Sequence, residues 1–268
     1  MTHRWDPERY LAYADERGRP FVELLARVGA RQPETVVDLG CGPGNLTALL
    51  AERWPAARVT GIDASEDMVD RARSLDSPVL FEVGDLRSWL DEAEPGSTDV
   101  LVSNATLQWV PGHLDLLPGL VEAVRPGGWL AFQVPGNFDQ PSHTIRAELA
   151  AEAPYAAHTA GVAAPDAHDA VTYLRALGGL GCTVDAWETT YLHVLPGEDA
   201  VFAWVSGTGA RPTLQALDAA DPELRARFEE TFKERLRAAY PETGPEGARR
   251  VVLPFRRVFV VAQRGGEA

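Results

Sequence analysis

The run Val36-Val37-Asp38-Leu39-Gly40-Cys41-Gly42-Pro43-Gly44-Asn45-Leu46-Thr47 decides the fold. Val36 to Leu39 make a short apolar strand broken only by Asp38, the glycines after it reach backbone conformations closed to other residues, and residues 46–54 carry a helical pattern. Strand, glycine turn and helix in that order form the first half of a βαβ unit, which needs parallel partners to bury its faces. Those partners follow as apolar strands at residues 58–63, 79–83, 99–103 and 129–134, with a helix at about 65–74 after the second. Arg125-Pro126-Gly127-Gly128 leads into the fifth strand, because Pro-Gly-Gly cannot continue a helix. A helical stretch at 170–180 then precedes two further strands, 183–195 and 255–263. The expected class is α/β, a doubly wound, mostly parallel seven-stranded sheet.

Between those last two strands, residues 196–247 are helical in period, most clearly over 222–240, and too long for a simple connection. They are expected to form a helical cap inserted between two strands of one sheet. The organisation is therefore a single domain over 1–268, with N-terminal helices in 1–33, a ligand-binding core in 34–195, the cap in 196–247 and a final strand in 248–268. Phe21, Leu24, Leu25 and Val28 mark the N-terminal helical face that must pack.

Composition narrows the function classes. The chain has 268 residues, 45% hydrophobic and 24% charged, which suits a packed globular fold and not a disordered one. With 25 basic and 39 acidic side chains, its formal charge of −14 argues against a nucleic-acid or anionic-membrane partner. No apolar run approaches the roughly 18 residues of a membrane span, and the first residues lack the apolar stretch of a signal peptide, so a cytoplasmic protein is expected. Cys41 and Cys182 stand far apart without partners at metal-ligand spacing, so neither a disulfide framework nor a metal site is expected.

In a doubly wound sheet, ligands bind at the carboxyl ends of the strands. The spacing here is G-x-G-x-G, with Asn45 where a dinucleotide fingerprint has its third glycine. Asp38, two residues before the first glycine, would repel a phosphate and suits a ligand bearing an ammonium group. Asp63 ends the second strand, where a carboxylate can accept both hydroxyls of a ribose, a device shared by nicotinamide and methyl-donor enzymes. Asp85 follows the third strand. The competing reading is that Asp38 and Asp85 only cap the helices after them.

Taken together, residues 35–134 resemble the class I S-adenosylmethionine-dependent methyltransferases. The resemblance implies S-adenosylmethionine as cofactor, with Asp38 and the Gly40-Cys41-Gly42 backbone holding its methionine end and Asp63 its ribose. It places Met68 by the adenine, Asp85 on the adenine amino group with Leu86 beside it, and Asn104 at the methionine moiety and the mouth of the transfer site.

A closer resemblance covers nearly the whole chain. Trp5-Asp6-Pro7 with Tyr10, Glu16-Arg17-Gly18-Arg19-Pro20, Arg53-Trp54-Pro55, Asn104-Ala105 with Leu107-Gln108-Trp109, Thr189-Thr190-Tyr191 with His193, Thr208-Gly209 with Arg211-Pro212, and Phe255-Arg256-Arg257-Val258-Phe259 are similar to a family of carboxyl O-methyltransferases. It implies methyl transfer to a small anionic substrate, trans-aconitate or a related polycarboxylate, giving a monomethyl ester and S-adenosylhomocysteine. A carboxylate is already a nucleophile at neutral pH, so no general base, triad or metal is required. The harder task is to hold a trianion, which suits arginine's planar fork. Candidates are Arg19, Arg211 and Arg256, with Tyr191 and His193 two apart on one strand face, and Gln108 and Trp109 as positioning residues after Asn104. Each arginine has the alternative of a solvated surface charge, and Tyr191, His193 and Trp109 that of core packing. Open alternatives for the whole chain are the same fold acting on another small acid or hydroxyl, a non-catalytic S-adenosylmethionine-binding module, and a nicotinamide dehydrogenase, the last disfavoured by Asn45 and Asp38.

Overall fold

The structure, a computed structural model, describes residues 14–245 and 249–266. Trp5, Asp6, Pro7 and Tyr10 lie outside the described residues, as do residues 246–248 at the end of the expected cap. The strands are β1 (Thr35–Leu39), β2 (Arg58–Asp63), β3 (Leu80–Val83), β4 (Thr98–Asn104), β5 (Val124–Pro135), β6 (Cys182–Pro196) and β7 (Arg250–Arg264). They form one seven-stranded sheet in the order β3-β2-β1-β4-β5-β7-β6. Pairings among β1 to β5 are parallel and β7 runs antiparallel to β5, so the expected mostly parallel, doubly wound α/β sheet is what forms. The order reverses between β1 and β4, which puts the crevice at the carboxyl end of β1, where the glycine run lies.

The central strands are buried on both faces and read as apolar runs for that reason. All seven residues of β4 are buried, and Val258, Phe259, Val260 and Ala262 of β7 are wholly enclosed. Pro-Gly-Gly acts differently from the expected turn. It lies inside β5, where Val124 pairs with Thr98 and Trp129 with Val100 across a register shift, with Gly127 at φ +76° absorbing the irregularity. Phe21, Leu24, Leu25 and Val28 are all buried, and Gly29 lies so close to the Trp129 ring that an added Cβ would come within 2.7 Å of it.

The chain divides into two compact units. Of the described residues, the sheet unit comprises 14–135, 167–189 and 257–266, and the helical unit comprises 136–166, 190–245 and 249–256. Of the expected cap over 196–247, residues 196–245 fall in the helical unit together with residues 136–166, which are expected from the sequence to lie in the core. The helical unit holds Pro141–Ala150, Ala156–Thr159, Ala200–Ser206, Arg211–Ala220 and Pro222–Ala239. The last of these starts where Asp221 accepts from the Glu223 amide and Pro222 supplies a preset φ. Leu224, Phe228, Phe232 and Leu236 then recur every fourth residue as its buried stripe. Pro141–Ala150 starts the same way, with proline in its first turn. That punctuation was the sequence signal for a helix that the strand-led reading passed over.

Candidate active site

After Leu39 the chain turns through Gly40, Gly42 and Gly44, at φ +84°, +55° and +79°. The Gly40 and Cys41 amides donate to the Ile62 carbonyl at 2.7 and 3.0 Å, which fastens the turn to the end of β2. The three glycines serve different ends. An added Cβ at Gly40 would sit 1.9 Å from Thr106 Oγ1, and one at Gly44 would sit 2.7 Å from both the Phe81 ring and Ala72. At Gly42 it would meet nothing within 4 Å. Gly40 and Gly44 are therefore required by packing, whereas Gly42 leaves open space over a backbone that a ligand can approach closely.

Asp38 is buried, with 2% exposure. Its Oδ2 accepts from Thr47 Oγ1 at 2.7 Å, while Oδ1 is enclosed and has no hydrogen-bond partner. Burial pushes its carboxyl up to about 7, the Thr47 bond pulls it down, and the nearby Asp63 charge adds to the rise. An orphaned buried carboxylate oxygen is costly, and a ligand cation with N–H donors is the group that relieves it. The capping alternative fails for this residue, because the helix that starts at Thr47 has Leu46 at its cap and no side-chain cap bond. Asp85 does cap a helix: its Oδ1 accepts from the Arg87 and Ser88 amides at 2.8 and 3.3 Å at the head of Leu86–Glu92.

Asp63 ties two segments together. Gly42 N donates to its Oδ2 and Ser65 N to its Oδ1, both at 2.9 Å. Burial raises its carboxyl above the usual range while these two amides oppose the rise. Each oxygen keeps a further lone pair for a hydroxyl. Asp63→Ala is expected to weaken nucleoside-ligand binding about tenfold, with only a modest loss of thermal stability from the freed amides. Unchanged affinity in calorimetry would remove Asp63 from the site. Met68 and Leu86 are buried in the sheet unit, at 3% and 7% exposure. Burial and the Asp38 and Asp63 charges push the Cys41 thiol up, so Cys41 offers backbone and bulk but no thiolate.

Asn104 ends β4 and is buried. Gln133 Nε2 donates to its Oδ1 at 2.6 Å, and Arg257 Nη1 donates to Gln133 Oε1 at 3.3 Å. Sequence reasoning missed both supports, although Arg257, a charged residue at the head of the apolar run Val258 to Ala262, was a visible signal. Ala105, next along, holds φ +55°, a left-handed conformation costly for a residue with a side chain. That bend lets Gln108 Nε2 donate to the Ala105 carbonyl at 2.5 Å, while its buried Oε1 has no partner. Trp109 closes the 3₁₀ turn Leu107–Trp109 and is half-buried.

The expected substrate residues fall in different surroundings. Arg19, in the sheet unit, has a side chain 68% exposed, and its Nε donates to Glu23 Oε1 at 2.8 Å one turn along its own helix, which is the surface ion pair held open as its alternative. In the helical unit, Arg256 is half-buried and its Nε donates to the Gly136 carbonyl at 2.6 Å. Arg211 is half-buried at the start of Arg211–Ala220. Tyr191 and His193 lie on one face of β6 with ring centroids 6.3 Å apart. Both are buried, and His193 stacks on Trp204 at 4.5 Å with Phe255 beside it at 5.7 Å.

Comparison with known proteins gives these residues a context. A family model for a methyltransferase domain matches residues 36–128. A trans-aconitate 2-methyltransferase of Streptomyces avermitilis is 51% identical over 97% of both chains, and one of Streptomyces coelicolor is 52% identical over 97% of this chain and 86% of its own. The chain belongs to the trans-aconitate 2-methyltransferase family. The fold of this family member is also that of a phosphoethanolamine N-methyltransferase from Haemonchus contortus, solved with S-adenosyl-L-methionine, at a TM-score of 0.54 and 16% identity over 92% of this chain and 52% of that one. At that identity the likeness concerns the fold alone. As a trans-aconitate 2-methyltransferase relative, the chain has a site suited to a methionine ammonium group and a ribose. The orphaned Asp38 Oδ1, the open space at Gly42 and the free lone pairs of Asp63 fit them.

Proposed function

We infer that the chain transfers a methyl group from S-adenosylmethionine to a carboxylate of trans-aconitate, giving the monomethyl ester and S-adenosylhomocysteine. The observation that carries this reading is 51% identity over almost the full length to a relative of that name. When bound, S-adenosylmethionine supplies an electrophilic methyl group on a sulfonium centre, and the carboxylate oxygen bonds to that carbon as the C–S bond breaks. One carboxylate group and the sulfonium centre become a neutral ester group and a neutral thioether, so no proton is moved and no base is required of the protein. What the residues must do is hold and align. Asp38 takes the ammonium group, Asp63 the ribose hydroxyls, and the Gly40–Gly42 backbone gives close access. Asn104, held by Gln133 and Arg257, and Gln108, with its free carbonyl oxygen, position the reacting groups.

The test is direct. Protein mixed with methyl-labelled S-adenosylmethionine and trans-aconitate should yield a labelled product that releases its label as methanol in mild base. Label that survives base, or no turnover with trans-aconitate while cofactor still binds, would overturn the substrate assignment.

A further inference from the structure

The helical unit contains a buried cation with no carboxylate partner among the described residues. Arg146, on Pro141–Ala150, is 9% exposed. Its Nη1 donates to Thr213 Oγ1 at 2.9 Å, and its Nε is enclosed without a partner. Burial lowers its tendency to hold a proton. Among the described residues no carboxylate pairs with it, in a chain with 39 acids. Guanidinium groups are buried almost always against an anion, because desolvating the charge alone is costly.

Earlier in the same segment other buried polar groups are also without partners. Ser142 is one turn before Arg146 on the same helix face, 2% exposed, with its hydroxyl unpartnered although its amide donates to Tyr240 Oη at 3.1 Å. Asn137, whose carbonyl accepts from the Gln140 amide as the chain turns into the helix, is 1% exposed, and both polar atoms of its side chain lack partners. Next to Ser142, His143 is pushed down to about 4 by burial and by the Arg146 charge, so it stays neutral and leaves Arg146 as the cation of the group. Asp139 is exposed and forms no ion pair with Arg146.

We propose that Arg146, with the Ser142 hydroxyl and the Asn137 amide, is the receptor for a carboxylate of the substrate. The assignment rests on the reading above that the substrate is a polycarboxylate, and it adds to Arg19, Arg211 and Arg256 an arginine that is buried, where Arg19 is exposed and paired with Glu23. A carboxylate there accepts two parallel N–H bonds from the guanidinium and one O–H bond from Ser142, which satisfies donors the folded chain leaves open.

The test compares Arg146→Gln, Arg146→Lys and Ser142→Ala with the full-length wild-type protein. Arg146→Gln should raise KM for trans-aconitate about thirtyfold with cofactor affinity within about twofold of wild type. Arg146→Lys, which keeps the charge but loses the fork, should recover part of that loss. Removing an unanswered charge should leave the melting temperature of the ligand-free protein unchanged or higher, where a purely structural arginine would lower it. Ser142→Ala removes a hydroxyl that bonds nothing in the protein, so it folds, and KM should rise about fivefold. A wild type that turns over trans-aconitate while Ser142→Ala and both Arg146 variants keep its KM overturns the receptor alone. A wild type that binds cofactor but neither turns over nor is thermally stabilised by trans-aconitate overturns the substrate reading and the receptor with it.

Discussion

In an Asp38→Asn variant the dissociation constant for S-adenosylmethionine rises by about two to three orders of magnitude at pH 8, because a charged, desolvated partner of the ammonium group is lost. The amide is nearly isosteric and can still accept from Thr47, so the variant folds. Its pH behaviour separates charge from shape. Burial holds the wild-type carboxyl at about 7 in the ligand-free protein. Only the carboxylate pairs with an ammonium group, so as pH falls below about 7 the wild-type affinity should drop, by up to about tenfold per unit, while the variant stays flat. Stability runs the other way. The folded carboxyl lies above its ordinary value of 3.8, so the stability linked to its proton is present below about pH 4 and is lost as pH rises to about 7. The ligand-free variant should therefore melt at or above the wild-type temperature at pH 8. Calorimetric titration and thermal melts from about pH 5.5 to 8.5 read both effects. Equal affinity of variant and wild type at pH 8 would remove Asp38 from the site.

Gly40→Ala is expected to destabilise the fold by about 3–5 kcal/mol, from the left-handed φ and an added methyl pressed into Thr106. The overlap involves Thr106 Oγ1 at 1.9 Å, Cγ2 at 2.4 Å and Cβ at 2.6 Å, so no rotation of that side chain relieves it. Gly42→Ala makes the complementary case. Its φ of +55° costs about 1 kcal/mol, since the space around it is empty, but the methyl takes up that space. A denaturant series should show a large loss for Gly40→Ala and a small one for Gly42→Ala, and Gly42→Ala should still lose most cofactor affinity. Equal stability losses would mean that the open space over Gly42 has no special status.

The parts of the site that were legible in the sequence are those set by local chain geometry. Asp38, Gly40, Gly42 and Asp63 sit at strand ends whose positions follow from apolar runs and glycine punctuation. The strand order places those ends at the reversal between β1 and β4. Asp85 and Asp38 looked alike in sequence, each an acid between a strand and a helix. Only the side-chain partners separate them, since Asp85 caps a helix through two amides and Asp38 is enclosed with an oxygen unanswered. Gln133 and Arg257 were not legible as supports of Asn104, because Gln133 reaches it from the neighbouring strand and Arg257 reaches Gln133 from the next, far apart in the chain.

The sequence by itself determined the α/β class, the glycine turn, the acids at its rim and the family, because these are carried by short-range patterns of period, turn chemistry and spacing. It could not say which arginine lacks an anion. Arg19 and Arg146 are equal in a sequence, and each lies on a helix. Arg19 meets Glu23 one turn away and stays in water, whereas Arg146 is shut in against Thr213, 67 residues further along, with no carboxylate partner among the described residues. Burial of a charge is a property of packed helices distant in the chain, so only the tertiary structure decided it.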